Sequence, residues 1–289
     1  MTRRSLLMAM AALTACRRQA SSPVCQPEQY RLEAWTVHPE QLDQAVSMAN
    51  AILEPGVRLR LTTESIKPVT GQKSIPVSLV HGDFVSDADV ALIVDRSCVF
   101  VNHDWKAQVA PLFGGNTSAA MDLEPGDALA IILLHEVGHI QPGGLPDNPA
   151  ITALLDSLGS AKKEEMRADA FAAQQLAMAF KRKWETSMTA SHLSMALSQI
   201  SWNLQANRML NNFGATSLHL PSAFNEKGLS HPNLELRFLV INFLLNPNEA
   251  ALNLLNTFLD ARAHPGGGVL FQSNPAAKYS LFGDPKAQR

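Results

Sequence analysis

Apolar residues recur at Leu42, Ala45, Val46, Ala49 and Ile52. That three-to-four spacing marks one face of a helix, and Glu54-Pro55-Gly56 ends it. The period then changes. Residues 57–63 alternate apolar and polar, as a half-buried strand does. Residues 75–80 read as a second strand. Two apolar runs, 89–94 and 98–101, flank Asp95-Arg96-Ser97 and predict two strands joined by a tight turn. From Pro125 onward the pattern is helical. Asp127 is a candidate N-cap for a helix over 128–140, which Gln141-Pro142-Gly143-Gly144 stops. A short helix is expected over 151–158. A longer one is expected from a cap at Ser160 to about Lys183. Others are expected over 191–210, 233–244 and 248–261. Residues 264–289 are rich in Gly, Pro and Asn and read as an irregular tail. The expected class is α+β, with a small mixed α/β part followed by a helix-rich part.

Composition changes this picture little. The chain has 289 residues, 46% hydrophobic and 17% charged, which suffices for a sizeable core. A net charge of −2 argues against nucleic acid as the main partner. No apolar run is long enough to span a bilayer.

The first residues do change it. Arg3 and Arg4 precede a short apolar run, Leu6 to Leu13, and then Leu13-Thr14-Ala15-Cys16. This order resembles the bacterial lipobox, in which the signal is cut before a cysteine that is then acylated. The resemblance implies a signal peptide over 1–15, lipid on Cys16 and a polar tether over 16–29. It also implies a place in the cell envelope facing the periplasm, and Arg17 after the cysteine slightly favours the outer membrane. In that oxidising compartment Cys25 and Cys98 can pair or can stay two separate thiols.

The chemistry concentrates in His135-Glu136-Val137-Gly138-His139. Residues four apart share a helix face, so both imidazoles can meet one metal ion. Glu136, about 100° round the helix, can serve as general base for water activated at the metal. Ile131, Ile132, Leu133 and Leu134 make this a buried helix, where two histidines and a glutamate need partners. Gly138 costs about 1 kcal/mol against alanine inside a helix, which points to close approach of a neighbouring backbone. A catalytic zinc needs a third protein ligand. Glu165 can supply it, with Asp169 one turn on, accepting a hydrogen bond from a ligating histidine.

The motif order H-E-x-x-H, then Glu165-Met166-Arg167-Ala168-Asp169 as E-x-x-A-D, resembles gluzincin peptidases of the HtpX and prenyl-protease type, including BepA-like periplasmic enzymes. Ser230-His231-Pro232-Asn233-Leu234-Glu235-Leu236-Arg237 resembles that family's S/T-H-P-x-x-x-x-R segment. The resemblance covers roughly residues 125–240. It implies a zincin-like domain over 30–263 and one zinc held by His135, His139 and Glu165. It places His231 near the open metal position and gives Arg237 an orienting ion pair. His139 and Glu165 stand 26 residues apart, shorter than that family's spacing. Short gaps of this kind resemble the ImmA/IrrE-type and Lit-type peptidases.

The expected activity is zinc-dependent endopeptidase cleavage of cell-envelope proteins. Two alternatives stay open: a catalytically silent zinc-binding adaptor or chaperone, and a cell-wall peptide amidase. An extended substrate is expected to add to an edge strand such as 98–102. His103 could border the cleft, but nothing in its spacing requires that, and a surface or core place suits it better. His192 reads as structural.

Overall fold

The computed structural model of the chain describes residues 40–62, 73–80, 90–94, 97–113, 123–141, 163–212 and 234–249, with the single positions 252 and 255. Helix α1 (Glu40–Ile52) buries Leu42, Ala45, Val46, Ala49 and Ile52, the five positions of the expected stripe. It ends where Gly56 takes φ of +104°, a left-handed conformation that suits glycine. Strand β1 (Val57–Leu61) follows with its inward residues alternating. Beyond it come β2 (Lys73–Val80), β3 (Ala91–Val94) and β4 (Cys98–Asn102). The helical part comprises α2 (Trp105–Val109), α3 (Pro125–Ile140), α4 (Lys163–Ala179), α5 (Trp184–Asn212) and α6 (Leu234–Leu245).

The four strands form one sheet in the order β1-β2-β4-β3. β1, β2 and β4 run parallel, and β3 closes one side antiparallel to β4, with Val94 opposite Cys98. The expected strand–turn–strand pair is therefore present. The expectation that 98–102 offers an edge to substrate is overturned. β4 is bonded to β2 on one side and to β3 on the other, and all five of its residues are buried. No backbone group row is left for an added peptide. Among the described strands, the edges are β1 and β3.

Asn50 covers part of the β1 edge. Its amide donates to Leu59 O at 2.9 Å and accepts from Leu59 N at 2.8 Å. One side chain at the end of α1 thus does for Leu59 what a neighbouring strand would do. Arg182, in the turn between α4 and α5, ties down the other side of the same helix. Its Nη1 donates to Ile52 O at 2.7 Å and to Leu53 O at 2.9 Å. A cation on the last carbonyls of a helix also opposes the helix dipole.

α3 is the axis of the molecule. It packs against α1, α2, α4, α5 and β3, and every residue from Gly126 to Gly138 is buried. A helix apolar on all sides requires such a place. It starts earlier than expected. Pro125 occupies the first helical position, where its missing N–H and fixed φ do no harm. Asp127 is three residues inside the cap and reaches back, its Oδ2 accepting from Glu124 N at 2.8 Å. α4 is shorter than expected, and α5 begins seven residues early. The expected helix over 151–158, the cap at Ser160 and the tail over 264–289 lie outside the described residues. Among the described residues, no helix is long and apolar enough to cross a membrane.

Asn50→Ala should lower stability by about 1–2 kcal/mol, because Leu59 then loses both backbone partners. Urea unfolding followed by circular dichroism measures this, and an unmoved midpoint would remove the edge-clamp role.

Candidate metal centre

The site begins with a helix crossing. A Cβ added at Gly138 would lie 2.6 Å from Ala168 Cα and 2.8 Å from Ala168 O. α3 and α4 therefore touch backbone to backbone at this point, the close approach that Gly138 implied. Ala168, the alanine of E-x-x-A-D, has a packing role that the motif alone does not reveal. The signal was its small side chain inside E-x-x-A-D, opposite a helical glycine. Ala168 stands directly before Asp169 and three residues after Glu165. The crossing thereby lays that face of α4 onto the histidine face of α3.

The resulting geometry is compact. His135 Nε2 and His139 Nε2 lie 3.1 Å apart, with ring planes at 84°. Glu165 Oε2 is 3.3 Å from His135 Nε2, and Glu165 Oε1 is 3.4 Å from His139 Nε2. Two nitrogens and a carboxylate thus form a triangle. A tetrahedral ion with bonds of about 2.1 Å spaces its donors about 3.4 Å apart, so the triangle fits one small divalent cation. Glu136 shares the space: the ligand atoms of His135, Glu136 and His139 all lie within 4.8 Å of one another. This group can hold a metal ion.

Behind the triangle, Asp169 Oδ1 lies 2.5 Å from His135 Nδ1. A proton on Nδ1 leaves the Nε2 lone pair facing the other two donors. Arg237 arrives from α6, which packs on α4 and α5. Its Nη2 is 3.6 Å from Glu136 Oε1, and its Nε is 3.8 Å from Asp169 Oδ1. Of the six side chains, five are buried, while His139 keeps 13% of its side chain exposed and marks the open side.

Among the described residues, three buried carboxylates, one guanidinium and two imidazoles meet here, a donor set that suits a cation. Protons also respond to these charges. Burial and the Arg237 charge both push the His135 pKa down, yet Asp169, by charge and hydrogen bond, and Glu165, by hydrogen bond, outweigh them and raise it to about 9. Burial pushes the Glu165 carboxyl up, but its bonds to His135 and His139 and the nearby charges of His135 and Arg237 hold it far below the usual carboxylate range.

The structure brings His135, Glu136, His139, Glu165, Asp169 and Arg237 together. His231, Cys16 and Cys25 lie outside the described residues. Cys98, fully buried on β4, is disulfide-bonded. His103 lies in the turn after β4 with Nε2 3.0 Å from Asp104 Oδ1. His192 joins α5 to the start of α3 through Asp127 Oδ1 at 2.8 Å. Compared with family models, curated proteins and solved structures, the chain matches none of them.

Gly138→Ala should destabilise the fold. The helix gains about 1 kcal/mol in propensity, but the methyl meets backbone, and overpacking of that kind costs ~1–3 kcal/mol. Urea unfolding should show a net loss together with weaker metal binding; a gain in stability would mean the crossing is not tight. Metal affinity should also depend on pH. His135 carries a proton below about pH 9, and binding must displace it, so the apparent affinity should rise about tenfold per unit between pH 6 and 8. Competition with a chromophoric chelator measures this, and a flat profile would contradict it.

Proposed function

We propose that the chain is a zinc-dependent endopeptidase that cleaves proteins of the cell envelope, held to the membrane by lipid on Cys16. The observation that carries the reading is the place of Glu136. Its carboxylate stands beside the donor triangle while Arg237, at 3.6 Å, gives it a partner outside that triangle. A carboxylate so held is available to take a proton. Two imidazoles and one carboxylate, with the donor spacing of a tetrahedron, suit zinc and leave a fourth position for chemistry.

Zinc held by His135, His139 and Glu165 would supply a Lewis acid and lower the pKa of a water to about 7. Glu136 is the group placed to take a proton from water that attacks a peptide carbonyl, and to give it to the amine as the C–N bond breaks. Asp169 keeps His135 in the tautomer that donates through Nε2. Arg237 balances Glu136 and Asp169, so two buried carboxylates can stand near one another. His231, by the resemblance of its segment to S/T-H-P-x-x-x-x-R, is assigned a hydrogen bond to the carbonyl oxygen as charge develops. The order of the three motifs supports peptide hydrolysis over other amide chemistry.

Glu136→Gln should keep the metal and lower cleavage of an unfolded protein such as casein by roughly 10²–10⁴-fold, the usual weight of a general base. Zinc content and cleavage are measured on the same sample. Undiminished cleavage by this variant removes Glu136 as base, and loss of zinc would make it a ligand instead.

A further inference from the structure

α5 is 29 residues long and carries formal charge only at Glu185 and Arg208. Solvent-facing helices usually separate an apolar stripe from a charged one. Here the outer side has Trp184, 72% exposed, Met188, 47%, and Met195, 45%. At offsets of four and eleven residues they fall within an arc of about 40°. Phe180, 41% exposed, stands in the turn just before them. These four are the large apolar side chains exposed among the described residues, and all lie within 180–195.

The same corner carries the basic run Lys181-Arg182-Lys183. Arg182 turns inward to the carbonyls of Ile52 and Leu53 and fixes the corner to the body of the fold. Lys181 and Lys183 stay exposed. Lys183 reaches Glu185 only at 3.7 Å, with both side chains about three-quarters in water. Such a pair is weak and leaves the lysine free to exchange partners.

We propose that this corner docks on a membrane surface rich in anionic phospholipid. Phe180 and Trp184 enter the headgroup region, Met188 and Met195 extend the contact, and Lys181 and Lys183 meet lipid phosphates. The charge pattern favours this occupant. Tryptophan beside lysine suits the membrane interface, where one end of the site is apolar and the other wet. Glu185 beside Lys183 is the acidic group on this side, and His192 is engaged by Asp127. Between 187 and 199 the other exposed or half-exposed positions besides the methionines are Ser, Thr and Gln, which lose water at far lower cost than ionised groups. Area points the same way. Four partly exposed side chains offer on the order of a few hundred Å², well under the ~800 Å² per partner of a stable protein interface. This point rests on the lipid proposed at Cys16: a patch of this size would add a contact from the folded domain to that anchor.

Docking here also sets a height. α4 is continuous helix from Glu165 to Ala179, next to this corner, and fourteen residues of helix span about 20 Å. The metal centre and the membrane contact are then the two ends of one rod.

The test uses the full chain with Cys16→Ser, so that no acyl group contributes. Tryptophan emission is followed on vesicles containing brominated lipid, made either of phosphatidylglycerol with phosphatidylethanolamine or of phosphatidylcholine alone. Quenching should occur on the anionic vesicles and fall by more than half in Trp184→Phe. Lys181→Glu with Lys183→Glu should weaken partition into anionic vesicles about tenfold or more. Unchanged thermal melting of these surface variants confirms that the fold is intact. Equal quenching in Trp184→Phe, or equal binding to phosphatidylcholine, overturns the proposal. So does lipid-independent self-association in sedimentation velocity that Trp184→Ser abolishes, which would make the corner a protein interface.

Discussion

The contact between Gly138 and Ala168 sets the distance between two helices, and the candidate metal centre follows from that distance. A side chain at Gly138 would part α3 from α4. His135 and His139 would then sit too far from Glu165 to share an ion, since metal–ligand bonds tolerate errors of only about 0.2 Å. The cost of glycine in a buried helix is met by the packing it permits. α3 can take that close neighbour because it is already enclosed by α1, α2, α5 and β3. The sheet and the remaining helices serve chiefly to hold this axis still.

Charge balance constrains the centre as firmly as distance does. Among the described residues, Arg237 is the permanent cation that faces Glu136 and Asp169 beside Glu165. Removing any member leaves a buried ion without its counterpart, which costs more than the pair contributes when whole. The proton held by His135 in the metal-free protein expresses the same imbalance. A divalent ion would replace that proton and satisfy the same field. Metal binding and the integrity of the buried cluster are therefore one equilibrium rather than two.

Much of this centre was readable because its parts are local. His135 with His139, and Glu165 with Asp169, are i,i+4 pairs, and helical periodicity alone puts each pair on one face. That the two faces meet could be guessed only from Gly138. The strand order was not readable, because pairing between distant segments leaves no trace in the pattern of one strand. Residues 98–102 look alike as an edge or as a centre, and β4 proved to be a centre. The start of α3 was misplaced for a subtler reason. Asp127 is a good capping residue in either role, and only Pro125 at the first helical position distinguishes them. The early turns of α5 were missed because Glu185, Thr186, Ser187 and Thr189 give little apolar periodicity, though Thr186 and Ala190 are buried. His231 and the partner of Cys98 belong to stretches outside the described residues.

Arg237 has a consequence for the order of events in the life of the chain. It lies about a hundred residues after Glu136, on a helix that packs over α4 and α5. A chain still emerging, or one cut before α6, holds the histidines, Glu136, Glu165 and Asp169 but not Arg237, the cation that faces Glu136 and Asp169. The charged cluster thus closes only once α6 has been made and has packed on α4 and α5. Any competence for a metal ion that depends on this cluster therefore arises late in folding, with the docking of a helix that carries none of the candidate ligands.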